Sequence, residues 1–213
     1  MQLVVRAEKT DPPTHRAACA AAAMAVVHLL TDPRAVEVEG EWHERVRTWE
    51  DVQIRKVARR ARGVRWEAVQ ELPGVSVDHE GAQARAFVPG PVAEIPPELA
   101  RLQVAGLDLP DEEGPKPPDG PYAAIALNPS VTMTTGKAAA QCGHAAQLLL
   151  RQGDPGEVLA WIAAGLPVHI VGDVPWNECV GRATTVVRDA GYTEVPPGTM
   201  TAISWLRRLP SGR

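Results

Sequence analysis

Thr135-Gly-Lys-Ala-Ala-Ala-Gln-Cys-Gly-His-Ala-Ala146 is the stretch on which the architecture turns. Its small residues, and the leucines that follow, predict a helix from Gly136 to about Arg151 that packs closely on a sheet. Lys137, Gln141 and His144 stand at i, i+4 and i+7, so they share one face. Lys137 falls in the first turn, where the helix end already carries partial positive charge. A cation there, with backbone N–H groups that lack intrahelical partners, suits a phosphate, a carboxylate or a developing oxyanion. A surface lysine on an ordinary amphipathic helix is the alternative that spacing leaves open. A nucleotide P-loop is excluded, because it needs Gly at 131 and Ser or Thr at 138, where this chain has Val131 and Ala138.

Working outward, Tyr122-Ala-Ala-Ile-Ala-Leu127 reads as a strand leading into that helix. A short helix is expected near Gly156 to Ala164, and Pro167-Val-His-Ile-Val-Gly172 reads as a buried strand. Asp173 or Asn177 is placed as the cap of a helix running to about Arg188. Asp189-Ala-Gly191 is then expected to end that helix, with Gly191 as a left-handed cap. An Asp at a helix C-terminus is electrostatically disfavoured, which draws attention to Asp189. With Thr193 it flanks a turn and is suited to hold one water, as a general base or a water-orienting group. Ordinary turn hydrogen bonding is the other reading of that Asp. Tyr192 to Val195 and Met200 to Trp205 are expected as the last two strands. Strands alternating with helices imply an α/β fold, a sheet covered by helices.

The first half resembles the second. Gln2-Leu-Val-Val-Arg6 leads into an Ala-rich helical stretch, His15 to Leu30, just as residue 122 leads to Leu150. Trp49 and Trp66 match Trp161 and Trp176. Ala93-Glu-Ile-Pro-Pro97 and Thr193-Glu-Val-Pro-Pro197 lie the same distance before Pro110 and Pro210. These matches favour internal duplication over chance similarity between two Ala-rich α/β segments, with an insertion in the first copy around Ser76 to Pro91. The expected organisation is a half at 1–109, a Pro/Gly-rich linker at 110–121 and a second half at 122–213. Aligning the opening strands puts His15 at the Lys137 position, Cys19 at Gln141 and Ala22 at His144.

The bulk properties narrow the function. The chain has 213 residues, 45% of them hydrophobic, enough for a sizeable core. Cys19, Cys142 and Cys179 are widely spaced and odd in number, which argues for a reducing, cytoplasmic setting and against a disulfide framework. The apolar run from Ala17 to Leu30 is too short to span a bilayer and has no basic region before it. His15, His28, His43 and His79 lack metal-ligand spacing. Net charge is −4. From Tyr122 onward seven basic residues face six acidic ones, about +1, which leaves −5 to the first half. That balance argues against a nucleic-acid substrate, since phosphate neutralisation supplies much of such affinity. The run Arg55, Lys56, Arg59, Arg60, Arg62 and Arg65 is read as a solvated face, and as the best basic patch if RNA binds.

Taken together, Gly136 to Ala145, Asp189-Ala-Gly-Tyr-Thr193 and Pro197-Gly-Thr199 resemble the signature of the type II peptidyl-tRNA hydrolases, in the right order over roughly 90 residues. The resemblance implies a mixed four-stranded sheet and members acting as dimers. It implies hydrolysis of the ester between peptide and tRNA, with no metal or cofactor and no membrane. It assigns catalytic roles to Lys137, Asp189 and Thr193, and substrate contacts to Gly136, Gln141 and His144. Two features depart from the family. The usual basic run before the helix is Asn128-Pro-Ser-Val-Thr-Met-Thr-Thr135, and the usual Arg after Asp-Ala-Gly is Tyr192. Both remove positive charge and bear on tRNA affinity more than on the hydrolytic core. The first half then reads as a degenerate copy standing in for the family's partner subunit. A non-catalytic tRNA- or protein-binding member, a hydrolase of another acyl ester, and a purely structural pseudo-dimer are the rival readings.

Overall fold

The computed structural model describes residues 1–52, 54–111, 116–191 and 195–207. The first half runs β1 (Gln2–Arg6), α1 (His15–Thr31), α2 (Pro33–Val36), α3 (His43–Val52), β2 (Val57–Ala61), α4 (Val64–Gln70), β3 (Gly74–His79), β4 (Ala82–Phe87) and α5 (Pro97–Ala100). The second runs β5 (Tyr122–Leu127), α6 (Thr135–Gln152), α7 (Pro155–Ala163), β6 (Val168–Val171), α8 (Trp176–Arg182), β7 (Thr185–Arg188) and β8 (Met200–Arg207).

These strands make two four-stranded mixed sheets of equivalent order, β2-β1-β4-β3 and β6-β5-β8-β7. In each, the opening strand pairs parallel with the second and antiparallel with the last. Each sheet lies between helices, as expected. On one face of the first sheet, Val4, Ala61 and Phe87 pack with Trp66 and Val69 of α4 and Leu99 of α5. On one face of the second, Ala124, Ala126, Ile203 and Trp205 pack with Cys179 of α8. The other faces share a core with α1 and α6, which lie against each other. Helix α6 also reaches over edge strand β2, and α1 reaches over edge strand β6.

Alanine and glycine permit that approach. A Cβ on Gly143 of α6 would meet Val26 of α1 at 3.1 Å and the stem of Lys56 at 3.2 Å. The matched tryptophans also have a shared structural use. Trp49 on α3 donates to the carbonyl of Arg55, just before β2, and Trp161 on α7 donates to that of Pro167, just before β6.

Several sequence expectations change. Residues 185–188 are strand β7, not the end of a helix, and α8 stops at Arg182. Thr185, Val186 and Val187 alternate between buried and exposed, the period of a half-buried strand. Asp189 therefore follows a strand. Gly191 does have a left-handed φ of 82°, but in a turn rather than a helix cap. Of the strand expected at Tyr192 to Val195, residues 192–194 lie outside the described residues, so Thr193 does too, and Val195 belongs to no strand. The stretch from Ser76 to Pro91 is not an insertion, because it carries most of the β3–β4 hairpin, the counterpart of β7 and β8. The two Pro-Pro signals are not equivalent either: one enters α5 after β4, and the other precedes β8.

The helix caps shift the alignment of the halves by two positions. Thr14 and Thr134 are matching N-caps, each accepting from the amide three residues on. Ala17, Ala21 and Met24 therefore stand opposite Lys137, Gln141 and His144. His15 instead meets Thr135, 2.9 Å from its hydroxyl. Residues 112–115 of the expected linker lie outside the described residues. Among the described residues, no helix is long and apolar enough to cross a membrane.

Candidate active site

Strand alternation aims the acid of the site. Thr185 and Val187 turn toward α6, and two positions further on Asp189 continues on that side. Its main chain is fixed from both directions, its amide donating to the carbonyl of Thr199 and its carbonyl accepting from Gly198, 2.7 Å away. A β-bulge opposite Val187 and Arg188 breaks the pairing of β8. Ala202 and Ser204 face α6 and Ile203 and Trp205 face α8, so regular alternation would send Thr201 toward α8. The bulge turns it to α6, where its hydroxyl donates to Oε1 of Gln141 at 2.8 Å.

Two side chains of α6 and one turn amide are focused on one carboxylate. Lys137 Nζ and Gln141 Nε2, the latter at 2.7 Å, both donate to Oδ2 of Asp189. The amide of Gly191 donates to Oδ1 at 2.8 Å. The ion pair is nearly out of solvent, with the side chains of Lys137 and Asp189 12% and 6% exposed. Burial opposes the charge of Asp189, but these donors outweigh it and hold the carboxyl below its ordinary range. Such a group stays ionised and is a weak base, better suited to orient a water or a polar substrate than to take its proton.

The helix N-terminus does not offer the open amides that the sequence suggests. Gly136 donates to the carbonyl of Leu107, and Lys137 donates to the hydroxyl of its cap Thr134. Leu109 bonds the hydroxyl of Thr135. The anion-attracting element is therefore the Lys137 side chain, not the helix end.

Lys137 and Asp189 lie in a cleft of about 300 Å³ together with Gly136, Gln141 and His144, so the described residues singled out in the sequence share one cavity. The cleft also has a wall that the sequence did not place there, Ile54 to Ala58 of the first half, with Lys56 in it. Far from being a solvated residue, Lys56 is 7% exposed. It donates to Oε1 of Gln147 and lies 3.4 Å from Nδ1 of His144. Burial, then the positive charge of Lys56, drives the His144 pKa well below its ordinary value, so this ring is neutral. Arg188, Lys56 and Thr201 are the neighbours that sequence reasoning missed. The alternation of β7 marks where Arg188 and Asp189 diverge, but nothing local signals Lys56 or the bulge. Among the described residues, no cluster of three or more His, Cys, Asp or Glu side chains is arranged to hold a metal.

A curated peptidyl-tRNA hydrolase from Pyrobaculum aerophilum is 37% identical to this chain over 93 residues, covering 37% of the chain and 78% of the relative. The chain belongs to the peptidyl-tRNA hydrolase family. No family-level profile matches it. In this peptidyl-tRNA hydrolase family member, the Lys137–Asp189–Gln141 cluster forms the polar floor of the cleft and Arg188 stands at its rim, 3.1 Å from the carbonyl of Gly198.

Proposed function

We propose that the protein hydrolyses the ester between peptide and ribose in peptidyl-tRNA, recycling the tRNA. The observation that carries this reading is the convergence of Lys137 and Gln141 on Asp189 inside a cleft, in a member of this family. In the reaction, a water oxygen bonds to the ester carbonyl carbon and the carbon–oxygen bond to the ribose breaks. The water's protons end on the ribose hydroxyl and the released carboxylic acid. Asp189 orients the water, and the motif assigns Thr193 to help it. Lys137 stabilises the tetrahedral oxyanion or a nearby phosphate. Gln141, Gly136 and His144 contact the substrate around it. No metal or cofactor takes part.

The division into 1–109, a linker at 110–121 and 122–213 belongs to the same reading. The first half is a degenerate copy that packs on the second in place of a partner subunit. The equivalent strand orders, the matched caps Thr14 and Thr134 and the matched Trp49 and Trp161 bonds support it. The three buried thiols suit a cytoplasmic setting.

The test is release of tRNA from a peptidyl-tRNA by the wild type, Lys137→Ala and Asp189→Ala. Turnover lost in either variant supports the mechanism. Tight tRNA binding with no turnover makes the protein a binding member of the family, and neither activity leaves another ester or a structural role.

A further inference from the structure

The wall contributed by the first half is a second cationic site in the cleft, and its construction is unusual. Lys56 enters just before edge strand β2, and its stem crosses α6 where Gly143 has no side chain to block it. The ammonium is surrounded by Oε1 of Gln147, Nδ1 of His144 and the Trp49 ring, whose centre is 4.8 Å away. Among the described residues, no carboxylate lies at ion-pair distance from it. Glu50 is held off by an amide, accepting from Gln147 Nε2 at 2.9 Å and from Arg151 at 3.0 Å. A buried cation without an adjacent counter-charge is costly, and either loss of its proton or an anion from outside relieves that cost. The cleft is where one can arrive, since Lys56, Arg55 and Lys137 all line it.

Arg55 and Val57 also line a second cleft of about 530 Å³, which takes in Glu44, Arg45, Arg59 and Trp49. Cations outnumber the carboxylates Glu44 and Asp189 along the two clefts, which fits a chain of phosphates rather than a single anion. The segment between β5 and α6, residues 128–134, contains no Lys or Arg, so the positive charge of this cleft comes from the first half and from α6 and β7.

We infer that Lys56, with Arg55, is a substrate-binding residue that holds the backbone phosphates of the single-stranded 3′ end of an RNA entering the cleft. This rests on the proposed function but is read out separately from it. The groups around Lys56 include Glu50, Arg55, His144, Lys137 and the amino group of Met1. Burial, the largest influence, lowers the Lys56 pKa to about 7, while His144 is held well below its ordinary value and the Met1 amine at about 5. Lys56 is thus the group near the RNA that loses charge as pH rises above about 7.

The probe is a fluorescent 12-nucleotide single-stranded RNA ending in CCA, titrated with wild type, Lys56→Met and Arg55→Ala. Methionine keeps the buried volume, and replacing a buried charge by an apolar group preserves folding. Lys56→Met is expected to weaken binding about tenfold and to lower the salt slope by about 0.7. Wild-type affinity is expected to fall between pH 6 and 9, and that of the variant to stay flat over the same range. With peptidyl-tRNA, the variant's loss falls on KM, whereas that of Lys137→Ala falls on kcat. Wild-type-like affinity and KM in Lys56→Met would overturn the inference while leaving the hydrolase reading intact. Hydrolysis lost with RNA binding still dependent on Lys56 would do the reverse.

Discussion

Gln141 Nε2 lies 2.7 Å from Oδ2 of Asp189, the same oxygen that accepts from Lys137, although 48 positions separate the amide from the acid. Two donors on one oxygen, with Gly191 on the other, fix the direction in which the carboxylate can act. The amide is itself fixed, because the hydroxyl of Thr201 occupies its oxygen and leaves only its nitrogen for Asp189.

Removing Asp189 takes away the carboxylate that Lys137 and Gln141 both bond in a nearly buried pair. Asp189→Ala is expected to destabilise the fold by about 3–5 kcal/mol and to abolish turnover. The double variant Lys137→Met/Asp189→Asn is expected to recover most of the stability and none of the activity. Urea unfolding alongside tRNA release separates the two effects.

Acid should expose the same pair. The folded pKa of Asp189 is depressed, so its contribution to stability is complete above the unfolded value of about 3.9 and is lost as pH falls through the lower folded value. Thermal midpoints measured from pH 6 down to 2 should show this loss in the wild type and a smaller one in Asp189→Asn.

Thr201 offers a test of orientation. Thr201→Val removes the donor to Gln141 Oε1 and leaves that buried oxygen unpaired, at a cost of about 1–3 kcal/mol. It should also free the amide to rotate and lower kcat by about tenfold, with Thr201→Ser restoring most of it. An unchanged kcat in Thr201→Val would show that Gln141 needs no such support.

Lys56 makes the opposite prediction for alkali. Its pKa is lowered from 10.5 to about 7 by burial, so the folded state binds fewer protons than the unfolded one across that window. Stability should therefore rise as pH increases from about 7 toward 10. Lys56→Met should flatten that rise and be the more stable protein at neutral pH, as denaturant midpoints at pH 7, 8 and 9 will report.

Gly143 couples the packing to the site. A Cβ there would press on Val26 at 3.1 Å and on the Lys56 stem at 3.2 Å. Gly143→Val is expected to cost about 1–3 kcal/mol and to reproduce part of the RNA-binding defect of Lys56→Met. Denaturation and titration with the same RNA probe check both.

The opening strands and Ala-rich helices were legible because period and composition are local. The strand and helix over 122–152 lie where the sequence puts them, and the i, i+4, i+7 spacing does bring Lys137, Gln141 and His144 into one cleft. Residues 185–188 misled because a short β-branched run between a helix and an Asp-Ala-Gly turn fits either structure until its neighbours are known. The Pro-Pro match misled for a related reason, since prolines punctuate chains wherever a turn is needed.

The sequence by itself determined the α/β class, the family likeness and the facing of three polar residues on one helix, since each depends on residues close along the chain. Only the tertiary structure decided that Asp189 reaches that helix from a strand, that a bulge brings Thr201 to Gln141, and that a lysine 81 positions before Lys137 lines the same cleft. Sheet pairing and helix contact set those positions, and no local propensity records which distant residue a packed surface will meet.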